Sequence, residues 1–367
     1  MKLLAIDIGA GTEDLLLVDT DKPIENAIQR VIPSASTRCS ERVAKATKDI
    51  FCYGGIIGGH PLDHALDEAV KAGFQVTVTE TAALTFRYDL SVVRSRGFQV
   101  IGDDSAHIEA LRDNSKVLSL QLTDVDYPRL EQFLAECQVS FSEIDVVLFC
   151  AQDHGLHGSG ESAREVRFRA YSKFLKKSGN LANMLYGEQE VPKDFPRLRS
   201  NLRLIQASFS NAVTPFVMDS SPAILLGGSL DRSGSDHPKT IVNLGNGHTV
   251  VATLNETNEV QAICEHHTGQ LRKGHLDALL QAYFAEELTP EQILREGGHG
   301  VIYREGFEPE IPEEILAIGP RRSLTKSSQF SFRFVSPLGF SMMMAGPLGM
   351  ITAYEEKTGG SILEKML

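Results

Sequence analysis

Two stretches far apart in this chain read as the same device. Residues 3–8 (Leu-Leu-Ala-Ile-Asp-Ile) and 14–19 (Asp-Leu-Leu-Leu-Val-Asp) are apolar runs around Gly9-Ala10-Gly11-Thr12, the pattern of two strands joined by a glycine turn. Thr240-Ile-Val-Asn-Leu and Thr249-Val-Val-Ala-Thr-Leu flank Gly245-Asn246-Gly247-His248 in the same way. Such a turn presents backbone N–H groups at close range, and with a Thr hydroxyl beside them it cradles phosphate oxygens. An acid next to the turn, here Asp7, holds Mg²⁺ through water. A plain hairpin explains either turn alone; two of them, one lobe's length apart, read as a phosphate clamp. The second begins with Asn243, whose amide bonds a metal-bound water but brings no charge, so metal positioning and hydrolysis are the weaker expectations.

The chain has 367 residues, beyond the size at which a single core stops growing, and two domains are expected. With 48 acidic against 36 basic residues its formal charge is −12, which repels nucleic-acid phosphates and anionic lipid headgroups, so neither nucleic acid nor membrane is an expected partner. No apolar run approaches the roughly 20 residues of a spanning helix, and Met1-Lys2 leads straight into a strand-like run, so the expected location is the cytoplasm. Cys39, Cys52, Cys137, Cys150 and Cys264 are scattered without a CxxC pair or a close triplet, which excludes a radical-type iron–sulfur cluster within this chain.

The fold class expected is α/β. Residues 51–79 read as a strand, helix, strand unit, and 144–151 as a buried strand ending in Gln152-Asp153-His154-Gly155. From 158 to about 203 the composition turns polar, as in an insertion or lid. Residues 220–230 read as a short helix, and the turn-rich 231–238 divides an N-terminal lobe, 1–235, from a C-terminal lobe, 236–367, whose last helix packs back on the first. A carboxylate beside a transferring phosphoryl group accepts the proton of a hydroxyl acceptor, a role open to Asp153, with Gln152 and His154 as substrate contacts. The same residues also read as a strand end whose Asp and His cap the next segment.

Other clusters have two readings each. His60 and His64 form a metal face or a solvated helix start. Gly54-Gly55 and Gly58-Gly59 form a ligand floor or tight packing. Arg164, Arg167, Arg169, Lys173, Lys176 and Lys177 steer an anion or make a solvated helix face. His266-His267 and His299 make no ligand set and are expected to serve turns.

In these residues the chain resembles the actin, Hsp70 and sugar-kinase superfamily. Asp7, Gly9, Gly11 and Thr12 match its first phosphate motif; Gly245, Gly247 and Thr249 match the second, with Asn243 where an acid is usual. Ser220-Ser221-Pro222-Ala223 to Gly227-Gly228 is similar to its connecting helix. The stretch 335–350, with Gly346 and Gly349, is similar to the element that packs on adenine and ribose, or reads as a Met-rich helix start with a packing glycine. Gln152 to Gly155 resembles the Gln-x-His-Gly turn of xylulokinase-like enzymes. The resemblance implies a two-lobed, ribonuclease H-like ATPase fold with ATP and Mg²⁺ in the cleft. It also implies either an ATP-dependent phosphotransferase or ATPase acting on a small molecule, or a nucleotide-sensing activator coupled to a protein partner. Gln-Asp-His-Gly and Gly-Gly-x-x-Gly-Gly, with Thr-x-Thr-x-x-Ala-Ala-x-Thr following, are in addition similar to a prokaryotic family labelled as pyruvate formate-lyase activating proteins, and the cysteine positions contradict the chemistry of that label.

Overall fold

The computed structural model describes residues 1–104, 106–156, 163–209, 213–231, 239–271, 274–308 and 310–367. The boundary read between 235 and 236 lies outside the described residues, as does the start of the 158–203 stretch.

β1 (Lys2–Ile8) and β2 (Thr12–Asp19) are buried over nearly their whole length, because their apolar runs are covered on both faces. They form an antiparallel hairpin in which Asp7 lies opposite Asp14. β3 (Ile28–Pro33) alternates half-buried and exposed residues, as the edge of this sheet should. The chain then leaves to build a separate parallel sheet from β4 (Asp49–Gly54), β5 (Val76–Thr79), β6 (Gln99–Ile101) and β7 (Val117–Leu122), in the order β6-β5-β4-β7 and with its own core around Ile50, Leu66 and Leu120. The strand, helix, strand unit read at 51–79 is the middle of this sheet. β8 (Val146–Ala151) returns to lie parallel to β1, and β9 (Thr214–Met218) adds beyond it, giving β3-β2-β1-β8-β9.

The second half repeats that plan. β10 (Lys239–Leu244), β11 (His248–Leu254) and β12 (Val260–His267) are antiparallel neighbours, β13 (Gly300–Tyr303) extends that edge, and β14 (Ile315–Ile318) and β15 (Phe332–Phe334) add in parallel on the other side of β10. Three antiparallel strands followed by two parallel ones, in the order 3-2-1-4-5, thus occur in both sheets.

Helices Ser220–Ser229 and Ala345–Thr358 cross in the central core, which joins Leu3 and Leu148 of the first sheet to Ile241 and Val250 of the second. Glycine lets the two backbones meet. A Cβ on Gly227 would sit 1.8 Å from the Ala345 carbonyl oxygen, and one on Gly349 1.8 Å from that of Ala223. Helix Ala345–Thr358 also packs on β1 and β8.

The described part of 158–203, read as an insertion or lid, is more buried than its polar composition suggests. Helix Ala163–Lys177 and helix Pro196–Ser208 carry buried arginines, with Arg167 0% and Arg197 8% exposed. Charges leave solvent only when paired, and these are. Arg197 donates to both oxygens of Asp124, and Arg167 to Asp219 and Glu265. The basic spacing read as a solvated face therefore includes a fully buried residue.

Candidate functional site

The two glycine turns close with the same bond: Gly9 N–H donates to Thr12 O at 2.9 Å, and Gly245 N–H to His248 O at 3.0 Å. Their tips meet, since a Cβ on Gly11 would lie 2.7 Å from Asn246 Nδ2 and one on Gly247 3.4 Å from Ala10 Cβ. Beneath them opens a cleft of about 920 Å³. Helix Ser220–Ser229 offers Ser220 and Ser221 to it from its N-terminal turn, where backbone N–H groups and the helix dipole favour anions.

Of the residues expected at a site, Asp7, Gly9, Gly11 and Thr12 of the first turn line this cleft, as do Asn243, Gly245 and Gly247 of the second, together with Gln152, His154 and Gly346. Three do not. Asp153 is 1% exposed, and its two carboxylate oxygens accept from the backbone N–H groups of Gly155 and Leu198 at 3.0 and 3.1 Å, the capping role, so it is not placed as a base. Thr249 is fully buried and bonds Thr268 Oγ1 at 3.0 Å; the residue equivalent to Thr12 is His248, because side chains alternate across a strand. Gly349 belongs to the helix crossing. Gly346 instead faces Asp7, whose Oδ2 a Cβ there would meet at 2.1 Å. The turn at the end of β14, Gly319-Pro320-Arg321, lines the cleft where β8 contributes Gln152 and His154 in the first lobe.

Asp14 is a residue the sequence reading missed. It lines the cleft opposite Asp7, and Oδ1 of each acid is buried with no hydrogen-bond partner among the described residues. Burial first, and for Asp14 next the charge of Asp7, hold both carboxyls well above the usual range. Two unsatisfied carboxylate oxygens on one cleft wall are the donor set of a hard divalent cation, so these residues fit Mg²⁺. An iron–sulfur cluster does not fit: all five cysteines are described, four of them buried, and among the described residues none belongs to a group of three potential ligands.

The histidines are a correction. His267 and His299, read as turn residues, meet His248 with ring centroids at 4.5 and 4.8 Å and each other at 5.0 Å, and His154 stacks on His299 at 5.6 Å with an 18° interplanar angle. Burial is the first cause that lowers all four; it takes His154 down to about 3, with Arg167 and Arg197 adding to it. These imidazoles are neutral.

Sheet order, crossing helices and paired glycine turns together define a two-lobed protein of the actin-like ATPase fold. The chain belongs to the family described as "Putative pyruvate format-lyase activating enzyme (DUF1786)", whose model matches residues 57–324. No curated protein matches it. Similar solved structures include the activator of the 2-hydroxyisocaproyl-CoA dehydratase from Clostridium difficile with bound ADPNP, at 8% identity over 98% of each chain with a TM-score of 0.35. They also include the PilM-PilN type IV pilus biogenesis complex, at 12% identity over 96% of this chain and 98% of that one with a TM-score of 0.40. An exopolyphosphatase from Cytophaga hutchinsonii matches at 12% identity over 87% of this chain and 67% of its own, with a TM-score of 0.32. Among the described residues no helix is long and apolar enough to cross a membrane.

Proposed function

We propose that the two lobes, 1–235 and 236–367, bind ATP with Mg²⁺ in this cleft, and that the chain is an ATP-dependent phosphotransferase or ATPase acting on a small molecule beside Gln152 and His154. The observation that carries the reading is the pair of equivalent glycine turns that meet tip to tip above one cleft. The backbone N–H groups of Gly9 to Thr12 and of Gly245 to His248 hold the phosphates. Asp7 and Asp14 hold the cation, which when bound neutralises phosphate charge. Gly319 to Arg321 receive the far end of the nucleotide, and the chain is placed in the cytoplasm.

A second reading is a nucleotide-sensing activator that couples lobe closure to a protein partner with little turnover. Two observations favour it: Asp153 is committed to backbone N–H groups, and Asn243 lends no charge to the second turn. Calorimetric titration with ATP and Mg²⁺ tests the premise both share, and a flat titration at millimolar nucleotide overturns both. Phosphate release and transfer to a panel of hydroxyl and carboxylate acceptors then separate them, with turnover expected for the first reading only.

A further inference from the structure

A second cluster opens on the same cleft and is not used by the nucleotide reading. His248 and His267 sit opposite each other on β11 and β12, so strand pairing alone sets their rings side by side. His299 arrives from the segment before β13, fixed by its own N–H to Glu265 O at 2.8 Å. One ring nitrogen from each of the three lies within 4.8 Å of the others. His299 is 1% exposed, yet neither of its ring nitrogens has a partner among the described residues, and neither has Nε2 of His248. An unmet buried polar atom costs about 1–3 kcal/mol. One of them on His248 and one on His299, with a His267 ring nitrogen beside both, call for one shared ligand.

We infer that His248, His267 and His299 bind one divalent transition-metal ion of the Zn²⁺ class. The donors are imidazole nitrogens, which suit Zn²⁺, Co²⁺ or Ni²⁺, whereas Mg²⁺ takes oxygen; the site is therefore distinct from Asp7 and Asp14. Metal–nitrogen bonds of about 2.0–2.1 Å put tetrahedral ligand nitrogens about 3.3 Å apart, so the three rings close inward by roughly an ångström or less each on binding. His248 and His267 line the cleft, so the remaining coordination position faces it beside the second glycine turn. Three neutral ligands leave the full charge of the ion for a water or for an oxyanion of whatever the cleft holds. The inference does not rest on nucleotide binding.

The test uses the full chain, stripped with a chelator and titrated with Co²⁺, followed by its visible d–d bands, and with Zn²⁺ in competition with a chromophoric chelator. The expected result is one equivalent of either ion, with the strong absorption of a four- or five-coordinate Co²⁺ site. Affinity falls by at least about 10–100-fold in His267→Gln and in His248→Gln. The latter residue is half-buried, so it reports even where His299→Ala fails to fold. His275→Ala, which changes a histidine elsewhere, binds as the parent does. The inference is overturned by absence of binding at micromolar metal, by weak octahedral bands, or by equal binding in the His248 and His267 variants. Because no nucleotide is present, failure here leaves the ATP reading intact, and failure of ATP to bind leaves this one intact.

Discussion

Asp7 and Asp14 face each other across one hairpin with an unsatisfied oxygen apiece, and their protonation couples stability to pH. Burial, with the charge of Asp219, raises Asp7 to about 7, and burial, with the charge of Asp7, raises Asp14 to about 8. Unfolded carboxyls ionise near 4, so between these values the folded chain holds more protons than the unfolded one. Stability is then fully present below about pH 4 and is lost as pH rises through about 7 and about 8. In chelator, the melting temperature is expected to fall from pH 5 to pH 8, and Asp14→Asn to flatten that fall. Mg²⁺ takes the place of the protons, so it raises the melting temperature of the parent more at pH 8 than at pH 6. An equal Mg²⁺ effect at both values, or an unchanged slope in the variant, contradicts the pairing. Asp7 was legible in the sequence because an acid beside a glycine turn has a specific chemistry. Asp14 was not, because its partnership depends on strand register, which the turn sets. Counting outward from the Gly9–Thr12 bond would have found it.

At the scale of elements, the hairpins, the buried strand before Gln152 and the helix from Ser220 were all readable from apolar runs and their punctuation. What composition hid were contacts between elements. Gly346 and Gly349 lie in one motif but face different things, Asp7 and helix Ser220–Ser229, since successive turns of a helix that crosses another need not meet the same neighbour. Four histidines from β11, β12, the end of β8 and the segment before β13 are scattered in sequence and adjacent only in space. The helix crossing itself makes a prediction. In a helix interior Gly→Ala ordinarily gains about 1 kcal/mol, but at Gly227 the new methyl meets the Ala345 carbonyl at 1.8 Å, backbone against backbone. Overpacking costs typically about 1–3 kcal/mol, occasionally more. Gly227→Ala and Gly349→Ala are each expected to lose about 2 kcal/mol or more in urea denaturation, while Gly360→Ala, remote from the crossing, stays near the parent. A stabilised Gly227→Ala would refute the close approach.

At the scale of the whole molecule, one buried side chain ties the two sheets together. Arg167 donates to Asp219 at 2.5 and 2.9 Å, at the end of β9, and to Glu265 at 3.0 Å, on β12, while also reaching the Asp153 carbonyl at 2.8 Å. The arginine holds the Asp219 carboxyl below the usual range against the opposing effect of burial. For Glu265 burial prevails and raises it. Removing one partner of a buried pair strands the other, at about 3–5 kcal/mol, so Arg167→Met should destabilise the chain by that order in denaturant titration. The acid left most in need of Arg167 sits in the other lobe, so a second substitution tests the tie. With Glu265→Gln present there is one less charge to strand, and Arg167→Met should then cost less. The difference, a coupling of about 0.5–3 kcal/mol, measures how strongly the arginine binds the second sheet to the first. If the two losses simply add, Arg167 stabilises the first sheet alone, and the tie between the sheets rests on the crossing helices and on Gln152, which donates to Glu265 at 2.7 Å.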